Sequence, residues 1–196
     1  MSRLRVLLGD PDGRSRNRIK RMLGADGYLV VAETDDGMGT LRQARMVKPE
    51  VAVLSEDLLG MKVSQVISVL LEDRICPTVL ITNTSSPSVI EQAKASGAMG
   101  MVTRPVQSPQ LIASLELAGE TYRRLIEKES EIQKLKDKLE DRKLVEKAKG
   151  ILMQALKISE SEAYRHLQQR SMNQKTPMKQ IAQAVILAFE SLPPKD

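Results

Sequence analysis

The sequence predicts an α/β domain with a parallel five-stranded sheet, followed by a long helix and a small all-α domain. Three observations support this. Residues 1–120 alternate short apolar runs with helical patterns, the next stretch is helical without a break, and the last third holds short amphipathic segments. A chain of 196 residues also exceeds the usual size of a single hydrophobic core, which favours two domains.

Five β-rich or apolar runs define the predicted strands. They are Leu4–Leu8, Leu29–Ala32, Val51–Leu54, Thr78–Ile81 and Met99–Val102. Each run is followed by a helical pattern, and this alternation is typical of a parallel sheet with helices on both faces. Two helix starts agree with it, because Ser86-Pro87 and Ser108-Pro109 each place a capping hydroxyl before a proline.

A helical pattern begins at Ser108 and continues for over thirty residues. Within it, spacings of three and four alternate as in the seam of a coiled coil, through Leu125, Lys128, Ile132, Leu135, Leu139 and Arg142. Mixed charges around the seam are typical of an exposed helix that joins domains. We expect dimerisation through Leu125, Ile132, Leu135 and Leu139. A single connector packed on its own first domain is the alternative.

Three short amphipathic helices are predicted in the last third. The first, Lys143–Leu156, continues the long helix, Ser159 and Glu162 form a capping box for the second, and Thr176-Pro177 caps the third. Their predicted apolar faces comprise Leu144, Ala148, Ile151 and Leu152, then Ala163, Leu167 and Met172, then Ile181, Ala184, Val185 and Leu187. So small a bundle buries little, so we expect it to dock on the long helix or on a second copy.

Charge is unevenly distributed along the chain. Residues 1–120 hold 14 Lys/Arg and 14 Asp/Glu, whereas residues 121–196 hold 16 and 11, so the net +5 lies in the C-terminal part. Between Glu162 and Glu190 there is no acidic residue. The cations of that window are Arg165, Arg170, Lys175 and Lys179. An acid-free basic segment is typical of a surface that binds a polyanion.

The last third resembles the ANTAR domain in three stretches, which are AKGILM (Ala148–Met153), SESEAYRHL (Ser159–Leu167) and SMNQKTPMKQIAQAV (Ser171–Val185). ANTAR domains bind RNA hairpins in nascent transcripts and prevent termination, so the resemblance implies an RNA-binding antitermination regulator. Cations would neutralise phosphates, and the amides of Asn173 and Gln174, expected in the loop before the third helix, would contact unpaired bases. The candidate RNA-binding residues are Arg142, Lys143, Lys147, Lys149, Arg170, Asn173, Gln174, Lys175 and Lys179.

Residues 1–120 resemble the receiver domain of response regulators, which has a flavodoxin-like (CheY-like) fold. A receiver holds Mg²⁺ on adjacent acids after the first strand and accepts phosphate on an Asp after the third strand. It also has a Thr or Ser after the fourth strand and a Lys after the fifth. At these places the chain has Asp10 and Asp12, Ser55, Thr82 and Arg104. Pro11 removes a metal ligand, and a serine hydroxyl without a neighbouring base is a poor nucleophile. We therefore expect a degenerate phosphoacceptor pocket, in which Arg104 pairs with Asp10 or Asp12.

Two alternatives stay open. Asp57 would be the phosphoacceptor of a phosphorylation-controlled two-component regulator if the third strand extended past Glu56. A protein-docking scaffold that binds no RNA is the other alternative. No glycine-rich phosphate loop, triad spacing or paired-carboxylate motif supports an enzyme, and one His with one Cys cannot form a zinc site. We expect no catalytic residue, no metal and no cofactor.

The expected organisation is a pseudo-receiver at residues 1–120, a coiled-coil linker helix at 121–141 and an ANTAR RNA-binding domain at 142–196. The lone Cys76 suits the reducing cytoplasm. No run approaches the ~18 apolar residues of a membrane span. The expected partners are leader-transcript hairpins, a regulatory sensor protein and a second copy of the chain.

Overall fold

Strand and helix alternate up to Thr103, and the elements between Ser108 and Glu190 are all helices. The computed structural model describes residues 4–190, which divide into two units with the boundary between Ile126 and Glu127. The elements are β1 (Arg5–Gly9), α1 (Gly13–Ala25), β2 (Leu29–Thr34), α2 (Gly37–Val47), β3 (Val51–Ser55), α3 (Val63–Glu72), β4 (Thr78–Thr82), α4 (Pro87–Ser96), β5 (Gly100–Thr103), α5 (Ser108–Leu156), α6 (Glu160–Gln174) and α7 (Met178–Glu190).

The five strands form one parallel sheet in the order β2-β1-β3-β4-β5, which confirms the predicted receiver fold. Alternate side chains of β1 enter different layers of the core, because successive residues of a strand face opposite sides of a sheet. Val6 and Leu8 pack with α1 and the start of α5, whereas Leu7 packs with α2 and α3. Both faces of the sheet are therefore covered by helices.

The strands β3 and β4 each extend one residue further than predicted. Ser55 pairs with Ile81 in the parallel ladder, and Thr82 pairs with Thr103. Small polar residues at a strand end do not continue the apolar pattern, so the sequence placed them just outside the strands. The extension buries the side chains of Ser55 and Thr82 at the carboxyl edge of the sheet.

The helix starts are partly as predicted. The Ser86 hydroxyl accepts a hydrogen bond from the Val89 amide and Pro87 is the first residue of α4, which confirms that cap. Ser108, predicted as a cap, lies within α5 instead, and its hydroxyl contacts the carboxylate of Asp26. The single helix α5 includes both the predicted connector and the first of the three short helices.

Among residues 4–190, no helix is both long enough and apolar enough to cross a membrane.

The second unit has its own small core. Ser159 and Glu162 form the predicted capping box at the start of α6. The buried side chains of this core are Ala148, Leu167, Ile181, Ala182, Val185 and Ile186. The prediction was wrong for Met172, Ala184 and Leu187, which are exposed. The buried residues of α7, Ile181, Ala182, Val185 and Ile186, recur at alternating intervals of one and three residues, which keeps them on one side of the helix.

The end of α6 corrects another expectation. Asn173 and Gln174 lie in the last helical turn rather than in the loop before α7. The helix ends at Lys175, which takes a left-handed conformation with φ of 50°. The Lys175 and Thr176 amides then donate to the Met172 and Ser171 carbonyls, the bond pattern of a Schellman cap. Thr176 donates its hydroxyl to the Gln174 carbonyl, and α7 begins only at Met178.

Candidate functional site

The carboxyl edge of the sheet collects the polar residues singled out in the first unit. Asp10 directly follows β1, Ser55 ends β3, Thr82 ends β4 and Arg104 directly follows β5. Parallel strands bring their carboxyl ends to one edge, which is where open α/β sheets place their ligand sites. Asp10 and Ser55 are buried there, and the Arg104 side chain reaches both.

Arg104 binds three residues of this edge. Its Nη2 lies 2.8 Å from Asp10 Oδ2 and 3.0 Å from Ser55 Oγ, and its Nη1 lies 2.7 Å from Ser15 Oγ. The contact anticipated between Arg104 and Asp10 is thus present. Asp10 is only 1% exposed, so this guanidinium supplies the charge that balances a buried carboxylate. The backbone amide of Arg104 also donates to the Thr82 carbonyl, and the Arg104–Pro105 peptide bond is cis.

The acidic residues after β1 do not fit the Mg²⁺ that a receiver holds. Asp10 Oδ1 accepts from the Asp12 amide at 3.0 Å, and its Oδ2 accepts from Ser15 as well as from Arg104. Asp12 Oδ1 caps α1 by accepting from the Arg14 amide at 2.9 Å. A guanidinium on the carboxylate competes with a divalent cation for the same oxygens, and Mg²⁺ requires near-octahedral oxygen ligation. The described residues contain no group of three or more His, Cys, Asp or Glu suited to a metal ion.

The side chains of Thr82 and Asp57 form no hydrogen bond with the guanidinium of Arg104. The Thr82 hydroxyl donates to the Thr84 carbonyl at 2.9 Å, so it turns toward the following loop. Asp57 is exposed two residues beyond the end of β3, and its amide donates to Ser55 Oγ at 3.3 Å. The Asp57 carboxylate accepts from the Asn83 side chain at 3.4 Å. The register of β3 therefore places Ser55, not Asp57, at the strand end.

Four of the predicted RNA-binding cations form ion pairs in the second unit. The pairs are Lys143 with Glu140 at 2.9 Å, Lys147 with Glu190 at 2.7 Å, Lys149 with Glu146 at 2.9 Å and with Glu160 at 2.7 Å, and Lys179 with Asp141 at 2.7 Å. Hydrogen bonding to Asp141 raises the pKa of Lys179. Because each of these lysines is paired with a carboxylate, the surface carries less net positive charge than the number of lysines in the sequence indicates.

Lys149 is a correction to the predicted surface. It is 7% exposed and lies between Glu160, at the start of α6, and Glu146, one turn earlier on α5. Hydrogen bonds to these two carboxylates raise its pKa. A buried lysine shared by two acids holds helices together rather than facing a polyanion. The sequence could not indicate this, because Glu160 is distant along the chain.

The cations that remain free lie on α5 and α6. Arg142, Arg170 and Lys175 are exposed and form no ion pair within the part of the chain that the structure describes. Arg165, absent from the predicted site, is exposed on α6 as well. Its place in the acid-free window was the available signal. Asn173 and Gln174 are exposed in the last turn of the same helix.

A groove of about 300 Å³ lies beside these residues in the second unit. Arg170 and Gln174, one turn apart on α6, form its polar wall. Its apolar wall comprises Ile151 and Leu152 of α5 with Ile181, Val185 and Phe189 of α7. The groove therefore combines a guanidinium and an amide with apolar surface.

The apolar side chains of the predicted coiled-coil seam are exposed on α5. Ile132, Leu135 and Leu139 are 51%, 58% and 55% exposed, and Leu125 is also exposed. Lys128, which occupies a seam position, pairs with Glu131 at 2.7 Å. An apolar stripe of this kind favours burial against another surface.

Comparison with known proteins matches each of the two units to a protein family. The family of the response regulator receiver domain matches residues 6–116, and that of the ANTAR domain matches residues 133–186. The transcriptional regulatory protein PdtaR of Mycobacterium tuberculosis (strain ATCC 25618 / H37Rv) is 31% identical over 192 residues, covering 98% of this chain and 93% of that protein.

Two solved structures share the fold of the first unit. A LuxR-family two-component response regulator from Aurantimonas sp. SI85-9A1 is 24% identical with a TM-score of 0.57, covering 61% of this chain and 87% of that one. The response regulator domain of Thermotoga maritima CheB is 17% identical with a TM-score of 0.56, covering 61% and 98%. With both of its units matched, this chain belongs to the response regulators that join a receiver domain to an ANTAR domain.

Proposed function

We propose that this protein is an RNA-binding regulator of transcription antitermination, acting in the cytoplasm as a homodimer. Its ANTAR domain, residues 142–196, would bind hairpins in nascent transcripts. Its receiver, residues 1–120, would respond to a regulatory protein rather than to phosphorylation, and residues 121–141 would pair as a coiled coil. The ANTAR match and the similarity to a transcriptional regulatory protein support the regulatory role.

The observation that carries RNA binding is the unpaired charge of the second unit. Arg142, Arg165, Arg170 and Lys175 are exposed, and the window from Glu162 to Glu190 contains no acid between its ends. Exposed cations that are not held in an ion pair can neutralise phosphates and release counterions, which is the main source of affinity for nucleic acids.

The groove beside Arg170 supports recognition of an unpaired base. A closed A-form helix hides its major-groove edges, so proteins read RNA sequence mainly in loops. An extruded base could place its face on the exposed ring of Phe189 while the Gln174 amide contacts its edge. The volume of about 300 Å³ is at the lower end of the range for small-ligand pockets, which suits one base.

The receiver geometry favours control by a partner. Ser55 Oγ already accepts hydrogen bonds from Arg104 and from the Asp57 amide, and Arg104 holds Asp10. A serine in this setting lacks the base that a nucleophilic hydroxyl needs. A partner could still control the output if it bound one conformation of the receiver more tightly than another.

Phosphorylation at Asp57 is the second candidate mechanism. Its carboxylate is exposed and follows Ser55 by two residues, so a phosphodonor could reach it. Arg104 makes its hydrogen bonds to Asp10, Ser15 and Ser55 and would have to change partners to contact a phosphoryl group on Asp57. The receiver geometry therefore favours the first mechanism.

Binding to leader RNAs tests the proposed function. We expect the protein to retard RNAs that carry paired hairpins in gel electrophoresis, and to increase readthrough of a terminator placed behind them in transcription with purified polymerase. The control RNA has the same length and contains the same stem sequences, but it forms one uninterrupted duplex without unpaired loops. No binding of either RNA at low salt would favour the protein-docking scaffold. Equal affinity for both RNAs would show that the protein does not recognise unpaired loops.

A further inference from the structure

Helix α1 concentrates positive charge in a receiver whose overall charge is balanced. It carries five cations and no acid, namely Arg14, Arg16, Arg18, Lys20 and Arg21. Glu33 on β2 matches two of them, with Arg16 at 3.6 Å and Lys20 at 2.5 Å. The other three arginines have no carboxylate partner within the described residues.

Two of those arginines line a cavity of about 520 Å³ between the start of α1 and the segment that follows β5. Arg14 and Arg18 share its wall with Arg104, and Asp12 is the acid of this lining. Asp10 matches the charge of Arg104, and Asp12 accepts a hydrogen bond from the Arg14 backbone amide. The cavity therefore keeps an excess of positive charge.

Two of the three guanidiniums of the cavity, those of Arg18 and Arg104, are held in place by other contacts. Arg18 Nη2 donates to the Val106 carbonyl at 3.3 Å, and Arg104 Nη1 donates to Ser15 Oγ at 2.7 Å. Each guanidinium has five N–H donors, so these contacts leave donors for a ligand. Because contacts already hold the Arg18 and Arg104 side chains, less conformational entropy is lost when these two bind a ligand. The amino-terminal end of α1, where the helix dipole is positive, lies at the same place.

We propose that this cavity binds a small phosphorylated molecule, with Arg14 and Arg18 as the phosphate ligands. A phosphate monoester carries about −1.5 to −2 charges near neutral pH and accepts bidentate hydrogen bonds from arginine. The described lining contains no aromatic side chain, so a nucleobase has no aromatic stacking partner, whereas the exposed Pro105 offers apolar surface to a short carbon skeleton. The volume is in the range of small-molecule sites. This site belongs to the first unit and shares no residue with the proposed RNA-binding set, so the proposal does not depend on RNA binding.

Calorimetric titration of the full chain with inorganic pyrophosphate at constant ionic strength tests the site. We expect saturable binding, weakened by at least about tenfold for each guanidinium removed in Arg14→Ala and in the double variant Arg14→Ala/Arg18→Ala. Arg21→Ala is the matched control, because Arg21 is on the same helix, contacts the Asn17 carbonyl and does not line the cavity. Pyrophosphate binding to Arg21→Ala should equal that of the wild type.

Three results would overturn the proposal. One is the absence of saturable pyrophosphate binding, and another is equal weakening in Arg21→Ala and Arg14→Ala. The third is a double variant that loses affinity for hairpin RNA but keeps wild-type affinity for pyrophosphate, which would make this face a polynucleotide surface. If the double variant misfolds, Arg14→Ala still tests the site, because this substitution changes only one exposed side chain.

Discussion

The guanidinium of Arg104 lies 2.8 Å from the carboxylate of Asp10, and the two residues come from opposite ends of the receiver sequence. Asp10 is almost fully buried, whereas the Arg104 side chain is about one quarter exposed, at 24%. A buried carboxylate is tolerated only when hydrogen bonds and an opposite charge compensate the loss of water. Arg104 therefore stabilises the pocket by compensating the charge of Asp10.

Removal of Arg104 should destabilise the receiver. We expect Arg104→Ala to lower the free energy of unfolding by about 3 kcal/mol, because it leaves the Asp10 carboxylate buried without its counter-charge. Urea denaturation followed by circular dichroism measures this. Arg42→Ala, an exposed arginine of α2, is the control and should change stability by less than about 0.5 kcal/mol.

The double variant Asp10→Asn/Arg104→Ala refines that measurement. Once Asp10 is neutral, removal of Arg104 should cost much less than in the wild type, because the two residues are in contact and their effects do not add. Additive effects would show that Arg104 stabilises the receiver independently of the Asp10 charge.

Acetyl phosphate with Mg²⁺ should leave the protein unmodified. The expected intact mass is that of the untreated chain, since Ser55 lacks an activating base and Asp10 is engaged by Arg104. A gain of one phosphoryl group would contradict this prediction. If the gain then disappeared in Asp57→Asn, phosphorylation of Asp57 would be the working mechanism.

Local signals allowed most of the fold to be predicted. The capping box at Ser159 and Glu162, the proline after Ser86 and the apolar runs of the strands each act within a few residues, so the sequence displays them directly. The end of α6 was harder to predict. Its stop depends on Lys175 adopting a left-handed conformation without the glycine that usually marks such a cap.

The ion pairs of the second unit were harder to predict from the sequence, because some of them join residues that are far apart along the chain. The partner of Lys147 is Glu190, and the partner of Lys179 is Asp141. Neither pair has a spacing that a helix pattern would reveal. Composition alone therefore overstated the free positive charge of the second unit.

Substitutions at the free cations should change the salt dependence of RNA binding. We expect Arg170→Ala/Lys175→Ala to weaken hairpin binding and to lower the slope of log affinity against log salt by about 0.7 to 0.9 for each phosphate that the variant no longer neutralises. Arg42→Ala is the control, because Arg42 is an exposed arginine of α2 in the first unit and is not among the proposed RNA-binding residues. Equal slopes for the wild type and the double variant would remove Arg170 and Lys175 from the interface.

Acid should weaken the start of α6. The hydrogen bond from Lys149 lowers the pKa of Glu160 below its ordinary 4.5, and hydrogen bonds from Ser159 lower that of Glu162. A carboxyl whose pKa is lower in the folded state stabilises that state above the unfolded pKa, and the stabilisation is lost as pH falls through the folded value. Amide hydrogen exchange of α6 should therefore lose protection once the pH drops below 4.5. Glu162→Gln should reduce this pH dependence, and an unchanged profile would show that the capping box contributes nothing.

Dimerisation through α5 should control the binding of paired hairpins. Ile132, Leu135 and Leu139 lie at spacings of three and four and are each about half exposed, at 51%, 58% and 55%, so a second helix could bury all of them along one seam. Two linked ANTAR domains would then bind two hairpins with an avidity above that of either alone, without any new contact.

Changing Ile132, Leu135 and Leu139 to Asn should therefore reduce affinity for a paired-hairpin RNA far more than affinity for a single hairpin. Lys134→Asn is the control, since Lys134 is exposed on α5 outside the seam. Sedimentation gives the mass of each protein, free and with RNA, and should show a dimer at least with paired hairpins. A wild-type monomer in both states would contradict the mechanism, because an avidity effect requires two modules in one complex, and α5 would then act only as a connector within one chain.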